Sequence, residues 1–142
     1  MRFIRAQDAK YVPVVMELVA DIETDLTKEL IEKWLTMHIN QPYICVILVC
    51  PDEGDPQGVL VAYGDPAREG EVLLYLMKIG TELGLDAGER ALELVENWAR
   101  SINATHIVFI TTHVENTRLF VQKYDYDLHA VTMRKELVDV PT

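Results

Sequence analysis

The residues best placed for chemistry lie in a glycine-containing loop between an apolar segment and an amphipathic helix. Residues 72–79 form a nearly unbroken apolar run, which predicts a strand buried on both faces. The loop over 80–88 follows, and helical periodicity then extends over 89–102. A loop that leads into a helix presents free backbone N–H groups and the positive end of the helix dipole. The pattern therefore predicts an anion-binding site at the start of the helix.

The helix after this loop is predicted to bury one stripe. Its apolar residues recur at helical spacing, and charged residues occupy the opposite side. Asn103 follows as a residue that tolerates the left-handed conformation in which helices often end. The residues predicted to be buried are Ala91, Leu94, Val95, Trp98, Ala99 and Ile102.

Periodicity and turn residues predict the elements that must position the loop. Strands are predicted over 2–6, 43–50, 58–63, 105–112 and 127–137, and helices over 9–20, 28–38 and 116–123. The order is β-α-α-β-β-β-α-β-α-β. Its strand–helix–strand unit from 72 to 112 should form a right-handed parallel crossover, and hairpins should make the remaining strands antiparallel. We expect a single α+β domain over 1–142, with a mixed sheet covered by helices on both faces.

The chain is acidic, with a formal net charge of −10. Nucleic-acid binding is disfavoured, because it requires basic surface that displaces counterions. The acidity favours a cationic substrate or a basic partner. It is equally consistent with a surface that only keeps the protein in solution.

The sequence predicts a cytoplasmic protein without a membrane segment. No apolar run is long enough to span a bilayer, and charged residues interrupt any signal-peptide pattern at the N-terminus. Cys45 and Cys50 fall in one predicted strand and point to opposite faces, so buried free thiols are expected. The histidines show no metal-binding spacing, and no metal site is predicted.

In element order and loop placement the chain resembles the GNAT-type N-acetyltransferases. Residues 88–100 are similar to the family's helix after its pyrophosphate loop, commonly G-x-x-L-L-x-x-x-x-x-W-A-R. Residues 121–126 and 133–137 are similar to its closing motifs Y-E-K-x-G-F and m-x-K-e-L. The resemblance covers nearly the whole chain. It implies acetyl transfer from acetyl-CoA to an amine of a small molecule or a protein, and it adds a homodimer as a candidate assembly.

The same resemblance implies a coenzyme site. Backbone N–H groups of Met77, Lys78 and Ile79 would polarise the thioester carbonyl. The family's loop R/Q-x-x-G-x-G/A falls on 83–88, where Leu83 replaces Arg or Gln and Asp86 replaces the first glycine. The residues implied to contact the coenzyme in the loop and beyond are Gly84, Leu85, Asp86, Ala87, Gly88, Glu89 and Asn116.

Asp86 also has a structural interpretation. Asp86 and Glu89 have capping-box spacing, so the Asp86 carboxylate is expected to accept a hydrogen bond from the first turn of the helix. In that position it would compete with a bound diphosphate. Gly84 lies two residues upstream, and a loop shifted toward it could still bind the coenzyme.

Three residues are candidates for proton transfer. The family's general-acid tyrosine falls on Val121, so Tyr124, one helical turn on, is the substitute donor. Glu71, near the start of the predicted fourth strand, is the candidate general base, and His113 is a weaker one. Each has a plain alternative: Tyr124 as an aromatic packed on its helix, and Glu71 and His113 as exposed loop residues.

A second function is compatible with these residues. The protein could be a non-catalytic GNAT-fold binding or structural protein, for example a virion or assembly component, that has lost the coenzyme site. Leu83, Asp86 and Val121 favour this hypothesis, whereas the loop length and Gly88 favour the enzyme.

Overall fold

A computed structural model describes residues 1–111 and 114–138. The chain divides into two units, Met1–Ile110 and Thr111–Thr142. The first unit holds all the strands found among the described residues. Within the described part of the chain, no helix is both long and apolar enough to cross a membrane.

Five strands of the first unit form one mixed sheet in the order β1-β2-β3-β4-β5. Neighbours from β1 to β4 are antiparallel, and β4 and β5 are parallel, which confirms the predicted strand directions. The last of these strands is shorter than predicted. The strands are β1 (Arg2–Arg5), β2 (Ile44–Cys50), β3 (Gly58–Gly64), β4 (Glu71–Ile79) and β5 (His106–Phe109).

Local sequence signals account for most helix limits. Pro13 stands in the first turn of α1, where its missing N–H costs nothing. Thr27 caps α2 by accepting a hydrogen bond from the Leu30 N–H at 3.3 Å. Asn103, with φ of 65°, follows α3 as predicted. The helices are a 3₁₀ helix at Ala9–Tyr11, α1 (Val12–Leu18), α2 (Lys28–His38), a second 3₁₀ helix at Thr81–Leu83, α3 (Ala87–Ser101) and α4 (Val114–Lys123).

Helices cover both faces of the sheet. On one face, Ile44, Val46 and Leu48 of β2 share a buried cluster with residues of α1 and α2. The intervening β2 residues point to the other face by strand alternation and are also buried. There α3 packs against β2 and β3. β2 is thus buried along its whole length between two helical layers. β4, whose apolar run predicted burial on both faces, has only alternate residues fully buried: Val72, Leu74 and Leu76.

The buried stripe of α3 differs from the prediction at two leucines. Leu92 is 2% exposed, whereas Leu94, predicted to be buried, is 37% exposed. The stripe is centred on Ala91 and Val95, and its alanines at 87, 91 and 99 allow the helix to approach the sheet closely. This centring turns Leu92 toward the sheet and Leu94 toward the rim. Ile102 is half-buried.

This corrected stripe can be tested with a matched pair of variants. We expect Leu92→Ala to lower the free energy of unfolding by about 2–4 kcal/mol, because it leaves a cavity under the helix. Leu94→Ala should cost less than about 1 kcal/mol, since most of the lost surface is already hydrated. Urea denaturation followed by circular dichroism measures both. Equal losses for the two variants would contradict the observed helix orientation.

The second unit contains α4 and lacks the predicted final strand. Asp125, where the resembling family has glycine, has φ of 61°, and the Tyr126 N–H returns to the Phe120 carbonyl oxygen at 3.0 Å. This is a left-handed helix ending that Asp tolerates. The prediction of a strand over 127–137 is wrong: the described residues there pair with no other strand. Apolar alternation predicts strand conformation, but a strand also needs a ladder partner.

Candidate active site

β4 has two strand neighbours along its first half and one along its second. Pairing with β5 covers residues 71–74 and ends where Leu74 faces Phe109. Between Leu74 and Leu76, Tyr75 is an extra residue that has no partner in β3, which makes a β-bulge. A bulge bends its strand and increases the local twist. Among the described strands, only β3 pairs with 76–79, so none of them pairs with the other edge of this half, which we call the open edge.

The hydrogen-bond pattern orients the backbone amides along this open edge. The Gly80 N–H donates to the Gln57 carbonyl oxygen at 2.8 Å, so it points toward β3. Direction alternates along an antiparallel ladder. The Lys78 amide therefore also faces β3, and the amides of Met77 and Ile79 face the open side. These are two of the three amides that the resemblance implied would contact the thioester.

Two glycines shape the loop between β4 and α3. A side chain at Gly80 would place its Cβ 2.6 Å from the Gln57 carbonyl oxygen, so the close approach of the backbones requires glycine. Gly84 has φ of 91° and ψ of 169°, a region that glycine alone adopts readily. Leu83, just before it, is 7% exposed and packs over Gly58. The loop is thus anchored by apolar packing where the family uses a polar side chain.

The first turn of α3 keeps its backbone donors free of a side-chain cap. Its first helical hydrogen bond runs from the Arg90 N–H to the Asp86 carbonyl oxygen at 3.0 Å, so the N–H groups of Ala87, Gly88 and Glu89 precede the ladder. The expected cap is wrong: within the described residues, the Asp86 side chain accepts no capping hydrogen bond. Asp86 has φ of −99° and ψ of 0°, whereas a capping residue is normally extended.

The segment between α1 and α2 is tied to the open half of β4. Lys78 Nζ forms an ion pair with Asp21 Oδ1 at 2.6 Å. This hydrogen bond from Lys78 lowers the pKa of the Asp21 carboxyl. Tyr75 donates its hydroxyl to Asp25 Oδ1 at 2.8 Å. Carboxylates therefore stand beside the strand that carries the outward-facing amides.

Three aromatic rings lie under Asp25 on the same face of the sheet. The rings of Trp34, Tyr63 and Tyr75 have centroids 5.1–6.3 Å apart and meet at 70–79°. All three are half-buried against the core of α1 and α2. Burial, and then the hydrogen bond to Asp25, raise the pKa of Tyr75, so its phenol stays neutral. Sequence reasoning missed this group, because its members come from separate elements.

Neither a family model nor a curated protein sequence matches the chain. Solved structures match nearly all of it. An aminoglycoside 6′-N-acetyltransferase from Acinetobacter haemolyticus is 14% identical with a TM-score of 0.74, over 98% of this chain and 100% of that one. An aminoglycoside acetyltransferase from an uncultured soil metagenomic sample, in complex with sisomicin, is 13% identical with a TM-score of 0.65, over 96% of each chain. A Pyrococcus furiosus protein described as a candidate acetyltransferase is 15% identical with a TM-score of 0.70, over 96% and 99%.

The chain has the GNAT fold. The resemblance inferred from sequence is therefore confirmed at the level of the fold. In this GNAT fold the predicted base, Glu71, is the first residue of β4 and forms an ion pair with Arg68 at 3.7 Å. It lies roughly 20 Å along the strand from Met77, at the end away from the open edge.

The remaining predicted site residues belong to the second unit of this GNAT-fold protein. Tyr124 follows α4, and its ring meets that of Phe120 edge to face at 5.1 Å. Asn116 donates its side-chain amide to Thr111 Oγ1 at 3.1 Å. Val121 is 45% exposed. His113, the weaker base candidate, lies outside the described residues.

Proposed function

We propose that this protein transfers an acetyl group from acetyl-CoA to an amine of a small molecule or a protein. The open edge of β4 carries the proposal, because its outward amides, at Met77 and Ile79, lie beside the glycine-shaped loop. Such fixed donors can stabilise a carbonyl oxygen that gains charge during acyl transfer. Acetyltransferases among the structures of the same fold support this reaction class.

The backbone offers a suitable place for the coenzyme. The uncapped N–H groups of Ala87, Gly88 and Glu89, with the positive end of the α3 dipole, would hold the diphosphate. Because Gly84 has no side chain, the backbone could approach the diphosphate closely at this bend. The space that a Cβ would occupy there is nearly empty of protein atoms. Bound acetyl-CoA supplies the acetyl group as an activated thioester. The Asp86 carboxylate opposes this binding by like-charge repulsion.

The chain's own residues would prepare the acceptor. An amine attacks only when it is neutral and positioned close to the carbonyl. The Asp25 carboxylate, which has no ion-pair partner among the described residues, attracts cationic amines to this side of β4. Glu71 remains our proposed base, but at roughly 20 Å along the strand from Met77 it would act only through a relay of several water molecules. Tyr124 remains the proposed donor of a proton to the leaving thiolate.

The compartment and assembly that we propose follow the same reasoning. Cys45 and Cys50 are buried free thiols, as predicted, and burial raises the pKa of Cys45 to about 11. Such unreactive thiols suit a reducing cytoplasm. A homodimer stays a prediction, which sedimentation of the full chain would test.

A thermal-shift experiment tests the proposed function. Acetyl-CoA at about one hundred times its Kd should stabilise the fold by about 2.7 kcal/mol, which raises Tm by several degrees. Acetylated pantetheine, which lacks the diphosphate, should give a much smaller shift, because it cannot use the first turn of α3. An amine acceptor should then release free thiol from acetyl-CoA. The absence of any shift at millimolar acetyl-CoA would contradict the proposal.

One observation favours the non-catalytic alternative. The loop supplies buried Leu83 and acidic Asp86 where the family supplies a polar side chain and glycine. A GNAT-fold binding protein would have no need for the coenzyme, and it would show no thermal shift with acetyl-CoA.

A further inference from the structure

We propose that Asp25 and the rings of Trp34, Tyr63 and Tyr75 bind an alkylammonium group, and that the acceptor is a diamine. One amino group would be held as a cation by this cluster, and the other would be acetylated at the open edge of β4. The second half of this inference rests on the proposed function. The first half, binding of an alkylammonium group, does not.

The charge of Asp25 is the first argument. Its Oδ1 accepts the Tyr75 hydroxyl at 2.8 Å and the Leu26 N–H at 2.9 Å, so neutral donors fix the carboxylate. Asp21, in the same segment, has Lys78 as its cationic partner. Within the described residues Asp25 has no ion pair, and its negative charge stays available. A fixed carboxylate without a cationic partner is suited to bind a ligand cation.

The rings are the second argument. The rings of Trp34, Tyr63 and Tyr75 contact one another edge to face, at 70–79°, and each side chain keeps part of its surface exposed to solvent. Aromatic faces attract ammonium groups within about 6 Å of the ring centre. The Tyr75 phenol is neutral, and burial raises its pKa further, so it adds no charge of its own. Rings and carboxylate together fit an ammonium group carried on an apolar chain.

The position of the cluster is the third argument, and it selects a diamine. Tyr75 is the bulged residue of β4, two positions before Met77. Two residues of strand span roughly 7 Å. An amine held on the cluster is therefore offset from the outward amide of Met77 along the strand, and also by the length of the Tyr75 side chain away from the sheet. A second amino group on a short alkyl chain would reach it, and the held group would stay protonated.

Titration of the five-carbon diamine cadaverine into the full chain tests the binding site without acetyl-CoA. Asp25→Asn should weaken cadaverine binding by about tenfold, because the amide keeps the shape and the hydrogen bonds but lacks the charge. Glu93→Gln, which removes one charge from the exposed side of α3, should bind like the wild type. Pentanol, a neutral ligand of the same chain length, should not bind. Unchanged cadaverine affinity in Asp25→Asn would overturn the proposal.

Acetylation kinetics test the diamine preference. At saturating acetyl-CoA, kcat/KM for cadaverine should exceed that for n-pentylamine by about tenfold, and Asp25→Asn should abolish the difference. If both amines react equally well in the wild type, the proposed function stands and the diamine inference fails. If cadaverine binds through Asp25 but neither amine reacts, the ammonium site stands and the proposed function fails.

Discussion

Replacing Trp98 with alanine should lower the free energy of unfolding by about 3–5 kcal/mol. Trp98 is 7% exposed, and its Nε1 donates to the Pro42 carbonyl oxygen at 3.1 Å. The Arg5 guanidinium lies 6.0 Å from the ring centroid. The substitution therefore creates a cavity where α3 meets the start of β2, and it leaves a carbonyl without its donor. Urea denaturation followed by circular dichroism measures the loss.

Trp98→Phe separates packing from hydrogen bonding at this position. The smaller ring keeps much of the apolar contact but lacks the N–H, so it should cost about 1–2 kcal/mol. A loss below about 1 kcal/mol for Trp98→Ala would show that the indole contributes little to the core. The candidate coenzyme loop leads directly into α3. Such a result would therefore argue against the described packing of α3 and against the position of the loop.

Replacing Asp86 with asparagine should strengthen acetyl-CoA binding by about tenfold, because one negative charge leaves the neighbourhood of the diphosphate. Folding stability should hardly change, since Asp86 makes no capping hydrogen bond within the described residues. Asp86→Gly should bind acetyl-CoA slightly more tightly than Asp86→Asn, because it removes the Cβ as well as the charge and so lets the diphosphate come closer to the backbone. Calorimetric titration of acetyl-CoA into the wild type and both variants gives the affinities.

Salt and a matched charge variant control this experiment. The gain in Asp86→Asn should shrink as ionic strength rises, because the interaction is electrostatic and partly exposed. Glu93→Gln, further along α3, should show little gain. If Asp86→Asn binds no more tightly than the wild type, the carboxylate does not lie near the diphosphate. If no variant binds at millimolar acetyl-CoA, the non-catalytic alternative is supported.

Local chemistry explains where prediction from sequence succeeded. The strand over 43–50, the helix over 28–38, the left-handed Asn103 and the loop over 80–88 each depend on residues close together in the chain. Predictions were wrong where packing between segments distant in the chain determines which residues are buried. Leu94 is exposed because the approach of α3 to the sheet sets the helix rotation.

The sequence by itself determined the order of elements as far as α4, the parallel crossover and the loop that leads into α3, because periodicity and turn residues are local. Only the tertiary structure decided how these parts make a site. The bulge at Tyr75, the point where β5 stops pairing and the outward amides of Met77 and Ile79 depend on strand register. Register is a relation between distant segments, and so is the meeting of Asp25 with Tyr75. No spacing along the chain encodes such contacts, because the packing of helices and strands around the core creates them.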